Sequence, residues 1–274
     1  ATEGANLIAL PENAFLMATG QNFHDQVTSE AEHPGIQAAQ NWAAKRGIWL
    51  LIGSIAVKTS NPPCEEERPG GRPSPELAER RPSRGQETER GQLNSKYANR
   101  EILISPEGKI TARYDKIHLF DVSIPGGESH QESARFEHGN KAVVAAAGEA
   151  MLGLSICYDV RFPYLYRALA KAGAQVLTIP AAFTRFTGEK GGWHVLCRAR
   201  AMETGCFVIA PAQCGTHSTQ RQTYGHSLIL NPWGEILAEA GEEPGIISAE
   251  INLAEVAQTR QVMPSLKHDR EFTL

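Results

Sequence analysis

No stretch of this sequence is apolar over the roughly 20 residues that a helix needs to cross a bilayer, so a membrane span is not expected. Basic charge is in short supply too: 27 Lys and Arg stand against 31 Asp and Glu, for a formal net charge of -4. Neither nucleic acid nor an anionic membrane surface is therefore expected as a partner. Residues 1–6 lack the basic-then-apolar layout of a secretory leader, and a cytoplasmic protein is the expectation. Cysteines are few, scattered and odd in number (Cys64, Cys157, Cys197, Cys206, Cys214), which argues against a disulfide framework and for reduced thiols. Cys206, Cys214, His217 and His226 lack the tight CxxC or HxxxH spacing of zinc sites, so no metal is expected.

What is present is an ordinary globular composition, 41% hydrophobic over 274 residues, enough for one large domain with a substantial core. Short apolar runs predict buried strands at Ala5–Leu10, Ile48–Val57, Ile102–Ser105, Ile110–Tyr114, Ala142–Ala147, Met151–Ile156, Gln175–Pro180, Cys206–Ala212, His226–Leu230, Glu235–Ala240 and Gly245–Ile251. Helical spacing predicts helices at Pro34–Gly47, Phe162–Ala172, Trp193–Gly205 and Leu253–Val262. Residues 59–96 break this pattern with seven Glu, seven Lys or Arg, six Pro, four Gly and no aromatic. Such a segment buries too little apolar surface to offset its ordering entropy, and a disordered insertion is expected there. Paired strands between single helices point to a layered α/β protein with mixed sheets.

The chemistry concentrates at Leu154-Ser155-Ile156-Cys157-Tyr158-Asp159-Val160-Arg161-Phe162-Pro163. An apolar strand runs into Cys157 and a helix follows within five residues, the elbow that lifts a nucleophile off a sheet end beside free backbone N–H groups. A buried structural cysteine is the competing reading. A thiol with an ordinary pKa of about 8.5 needs a base, and Glu12, just past the first strand, and His118 are the candidates. Lys116, directly after the Ile110–Tyr114 strand, is either a cation facing the same sheet edge or a surface lysine.

Three segments taken in order resemble the nitrilase (carbon–nitrogen hydrolase) superfamily: Pro11-Glu12-Asn13, Tyr114-Asp115-Lys116-Ile117-His118-Leu119-Phe120-Asp121, and Cys157-Tyr158-Asp159-Val160-Arg161-Phe162-Pro163. The resemblance implies a Glu12–Lys116–Cys157 triad and a second glutamate at Glu132. It also implies an α/β four-layer αββα sandwich of two mixed sheets, assembly as a homodimer or larger homo-oligomer, and no cofactor. On this reading Lys116 and the Tyr158 N–H hold an oxyanion, and Arg161 is placed to bind a substrate carboxylate. Arg198-Ala199-Arg200-Ala201-Met202-Glu203, Gln213-Cys214-Gly215-Thr216-His217, Tyr224-Gly225-His226-Ser227 and Asn231-Pro232-Trp233-Gly234 are similar to the Nit branch. That branch implies a cysteine-dependent amidase for small linear, carboxylate-bearing amides of the deaminated-glutathione type. ω-Amidase or N-carbamoyl hydrolase chemistry is the alternative among enzymes, and an inactive interaction module is the alternative from another class.

Two departures accompany the resemblance. The family carries a strand and a helix ahead of the position matching Ala5–Leu10, and these are expected to be missing here. Family members also carry Ala-His-Trp where this chain has Gly191-Gly192-Trp193, one residue farther from Thr187-Gly188, in a loop expected to border the substrate.

Overall fold

The computed structural model describes residues 4–17, 21–59, 97–124, 129–217 and 221–273. Apart from Thr59, the expected insertion at 59–96 lies outside the described residues. The strands are β1 (Leu7–Ala9), β2 (Trp49–Lys58), β3 (Tyr97–Ile104), β4 (Ile110–Asp115), β5 (Asp121–Ser123), β6 (Ser129–Gln131), β7 (Val144–Ala147), β8 (Ala150–Gly153), β9 (Val176–Thr178), β10 (Phe207–Ala210), β11 (Cys214–Thr216), β12 (Gln222–Tyr224), β13 (Leu228–Leu230) and β14 (Ile236–Glu239). The helices are α1 (Gln21–Gln26), α2 (Pro34–Arg46), α3 (Pro163–Lys171), α4 (Arg185–Glu189), α5 (Gly192–Thr204) and α6 (Ala254–Val262).

Two mixed sheets form the centre. One is ordered β1-β2-β3-β4 and the other β14-β13-β10-β9-β8-β7. In β2 and β3 the side chains alternate between two buried faces, because successive residues of a strand point to opposite sides. Leu51 and Leu103 join the cluster that includes Leu152, Leu154 and Leu177 of the second sheet. Leu50, Ile52, Ile102 and Ile104 turn the other way, onto Ile36, Ala39 and Ala43 of α2. Helices α3 and α5 cover the second sheet through Leu165, Leu169, Trp193, Cys197 and Ala201. The layers therefore run helix, sheet, sheet, helix, the αββα sandwich expected.

Local chemistry fixes the ends of α2. The His33 imidazole accepts from the Gly35 and Ile36 N–H groups, Pro34 opens the first turn, and Gly47 closes the last with φ 65. The sequence reading leaves out α1, α4, β5, β6, β11 and β12, and two of its expected strands differ from the structure. Strand β3 begins at Tyr97, five residues before Ile102, carrying Asn99, Arg100 and Glu101 into the sheet. The expected strand Gly245–Ile251 joins no sheet among the described residues, and Ile246 is 79% exposed. Its alternating pattern has no neighbouring strand to supply a ladder.

Candidate active site

Three buried segments from distant parts of the chain, following β1, β4 and β8, come together. The first carries Glu12. Leu10 N–H donates to the Leu51 carbonyl at 2.9 Å and Ala14 N–H to the Ser54 carbonyl at 2.9 Å. The Asn13 N–H donates to Ser54 Oγ at 3.0 Å, while Asn13 itself adopts φ 55. These bonds tie the segment after β1 along β2 and aim the Glu12 carboxylate inward, where only 4% of the residue is exposed.

The second turn carries Lys116, directly after β4. Its N–H donates to the Asn99 carbonyl at 2.9 Å, and its carbonyl accepts from Gly139 N–H at 2.8 Å. The buried ammonium donates to Glu12 Oε1 at 2.9 Å and to Glu132 Oε2 at 2.9 Å. Glu132 lies in a 3₁₀ turn beyond the β5–β6 hairpin, where its Oε2 also accepts the Phe120 N–H at 2.7 Å.

The third turn carries Cys157. Strand β8 stops at Gly153, and Leu154–Ile156 continue extended into a 3₁₀ turn over Cys157–Arg161. Cys157 holds φ 48, a left-handed conformation that costs a non-glycine residue about 1–3 kcal/mol and marks the strained elbow. Its N–H donates to the Pro180 carbonyl at 2.9 Å. The Tyr158 N–H finds no acceptor among the described residues. Cys157 is buried beside the Glu12 carboxylate, whose Oε2 accepts the Ala182 N–H at 2.8 Å.

Electrostatics divides the roles. Burial alone would raise the Glu12 pKa, but the Lys116 ammonium and the donors around it hold the carboxyl below the ordinary carboxylate range. Burial likewise opposes the charge on Lys116, yet Glu12 and Glu132 keep its pKa well above the usual lysine value. The Cys157 thiol is pushed well up, by burial first and then by the Glu12 charge. The resting site therefore gathers a carboxylate, an ammonium and a protonated thiol in one buried cluster. A proton acceptor beside a nucleophile, with a cation and a free N–H near the sulfur, suits addition to a carbonyl.

Arg161 is exposed, its guanidinium 5.8 Å from the Phe183 ring centroid. It forms no ion pair among the described residues. Gly192, of the altered Gly-Gly-Trp segment, lies beside it: a Cβ there would sit 3.7 Å from Arg161 Nη2. His118 is not a base for the thiol. Its imidazole binds Asp159 Oδ1 at 2.6 Å on one side and Tyr164 on the other, stacked on Phe162.

Two residues escaped the sequence reading. Asn99 Nδ2 donates to both Glu12 Oε1 and Glu132 Oε1 at 3.0 Å, spacing the two carboxylates around Lys116. Fully buried Asp159 binds the cysteine turn to the lysine turn. It accepts from the Ile156 N–H and the Tyr114 hydroxyl at Oδ2, and from the His118 N–H at Oδ1. A buried carboxylate in the nucleophile's own segment was the available signal for Asp159. Asn99 stands in a polar Asn99-Arg100-Glu101 run just ahead of the apolar Ile102–Ile104, and carried no such signal.

The sequence profile of the carbon–nitrogen hydrolase family matches residues 1–261. A deaminated glutathione amidase of Synechocystis sp. is 42% identical over 268 residues, covering 97% of this chain and 86% of the relative. A protein of the same name from Yersinia enterocolitica is 32% identical over 97% of this chain and 82% of its own. Among solved structures, the C. elegans NitFhit protein superposes with a TM-score of 0.77 at 31% identity, over 97% of this chain and 57% of that one. Saccharomyces cerevisiae Nit3, of branch 10 of the nitrilase superfamily, gives 0.74 at 27% identity, over 96% and 82%.

Proposed function

The chain belongs to the carbon–nitrogen hydrolase family and is an amidase of that family, and from that premise we propose that Cys157 is its nucleophile, Glu12 its general base and acid, and Lys116 its oxyanion donor. The observation that carries this reading is the buried Glu12 carboxylate, which accepts from Lys116 Nζ at 2.9 Å and lies close enough to Cys157 to act on its thiol. Glu12 takes the thiol proton as the sulfur adds to the amide carbon, and the oxyanion rests on Lys116 Nζ and the Tyr158 N–H. Glu12 returns the proton to the departing nitrogen, releasing ammonia and leaving a thioester. Water then attacks the thioester with Glu12, or Glu132, as base. In the resting site Glu132, like Glu12, accepts from Lys116 Nζ and so holds it in place.

The substrate is a small linear amide bearing a carboxylate, of the deaminated-glutathione kind. The names of the relatives support this choice, as does Arg161, a cation free to pair with a carboxylate. The chain acts as one catalytic domain and self-associates as a homodimer or larger homo-oligomer, as its family membership supports.

Ammonia release from deaminated glutathione, α-ketoglutaramate and N-carbamoyl-β-alanine tests the substrate. The first should give the highest kcat/KM, and Arg161→Ala should raise KM for the carboxylate-bearing amides more than for a neutral amide. Cys157→Ala should abolish turnover with the fold intact by circular dichroism. Activity retained in that variant would overturn the mechanism.

A further inference from the structure

A second cluster of metal-ligating side chains lies apart from these residues, where α5 begins beside the β13–β14 hairpin. His194 comes from the first turn of α5, His226 from the loop before β13, and Glu239 ends β14. One imidazole nitrogen of each histidine and a Glu239 oxygen lie within 4.8 Å of one another. His194 Nε2 is 2.9 Å and His226 Nδ1 3.0 Å from the same oxygen, Glu239 Oε1.

The fold holds these groups in place. His226 sits at φ 55, a backbone that side chains other than glycine rarely adopt. Its carbonyl accepts the indole N–H of buried Trp193 at 2.7 Å, and its N–H donates to the Gly241 carbonyl at 3.0 Å. Its ring stacks on Tyr224, with centroids 4.3 Å apart.

The charge around the cluster favours a cation. Glu189 and Glu242 both pair with Arg185, but Glu239 has no Lys or Arg partner among the described residues. The side chains that pair with it are two imidazoles. The groups are 22–34% exposed, which leaves room for water to complete a coordination shell.

We propose that His194, His226 and Glu239 form a zinc-binding site with two nitrogen ligands, one oxygen ligand and an open position for water. Ligand atoms around a tetrahedral zinc at about 2.0–2.1 Å lie roughly 3.3 Å apart. The two nitrogen–oxygen separations of 2.9 and 3.0 Å are close to that, and all three ligand atoms lie within 4.8 Å of one another. Zinc takes one ring-nitrogen lone pair from each neutral imidazole, whose proton then sits on the ring nitrogen facing away from the metal, and clips α5 to the β13–β14 hairpin. Tyr224, stacked on His226, packs against Gly188 of α4, and its N–H donates to the Phe183 carbonyl at 2.9 Å. The clip therefore abuts the segment that lines the approach to Arg161.

Equilibrium dialysis against zinc chloride at pH 7.5 tests this. The full chain is first treated with iodoacetamide to cap reactive thiols, so that Cys157 does not contribute. The capped protein should bind one zinc per chain, and His194→Gln and Glu239→Gln should each weaken binding at least tenfold. Both variants keep hydrogen-bonding side chains at partly exposed positions, and their metal-free melting temperatures should stay within a few degrees of the parent. A His194→Gln, Glu239→Gln double variant that binds zinc as well as the parent would overturn the proposal. Binding of less than a tenth of an equivalent by the capped parent would overturn it too.

Discussion

Lys116 is a buried cation whose charge is tolerable only because the Glu12 and Glu132 carboxyl groups lie beside it, each 2.9 Å from Nζ. The pair would close on the ammonium and leave the sulfur without a base if nothing kept the carboxylates apart. Asn99 does so, donating to one oxygen of each. A hydrogen bond to a charged group contributes about 1.5–3 kcal/mol. Asn99→Ala should therefore lower kcat by about 10- to 100-fold with little change in KM, measured as ammonia release under saturating substrate. Asn99→Asp, which adds a third negative charge, should lose more. An unchanged kcat in Asn99→Ala would remove the amide from this positioning role.

At the scale of elements, the site depends on how closely two backbones approach. Gly53 in β2 lies against the Glu12 segment on one side and the Cys157 segment's support on the other. A Cβ there would be 1.9 Å from the Leu10 carbonyl oxygen and 2.5 Å from Pro180 Cβ. Pro180 in turn supplies the carbonyl that accepts the Cys157 N–H. Gly53→Ala must move one of these backbones, and a displacement of about 1 Å at reacting groups can cost roughly 10²-fold in rate. A loss of that order in kcat/KM is expected, read beside a melting curve showing that the variant still folds. Near-normal activity would mean that the segments yield without moving Glu12 or Cys157. Elbow and lysine turn are joined in a similar way, by one carboxylate, Asp159, collecting donors from both.

Across the whole molecule, the two sheets meet over a core that also encloses a carboxyl group with no part in the chemistry. Glu101 in β3 is fully buried, accepts from the Thr178 hydroxyl of β9 at 2.8 Å, and joins the two sheets there. Burial, and secondarily the charge of Asp159, raises its pKa well above the ordinary glutamate value. A raised pKa in the folded state means that stability is fully present below the unfolded value near 4.3. It is lost as pH climbs toward the folded value, at about 1.4 kcal/mol per pH unit. Glu101→Gln lacks this loss, so its melting temperature should gain on the parent as pH rises from 5 to 8. A constant difference across that range would show that Glu101 is ionised in the fold or exchanges its proton without cost.

The sequence alone determined the layered α/β class, the positions of α2, α3 and α5, and the order of the three motifs. These follow from periodicity, caps and turn residues, which act over a few neighbours in the chain. It stopped short at β3 because Asn99, Arg100 and Glu101 interrupt the apolar pattern. Their burial is stabilised only by distant partners: Glu12 and Glu132, Asp115 and Glu30, and Thr178. It overreached at Gly245–Ile251, where alternation is present but no adjacent strand pairs with it. The meeting of Glu12, Lys116 and Cys157, the bridging by Asn99 and Asp159, and the release of His118 from any role as base belong to the tertiary structure. Each is a contact between residues tens to more than a hundred positions apart, and hydrogen-bond partners at that separation are set by how the sheets stack.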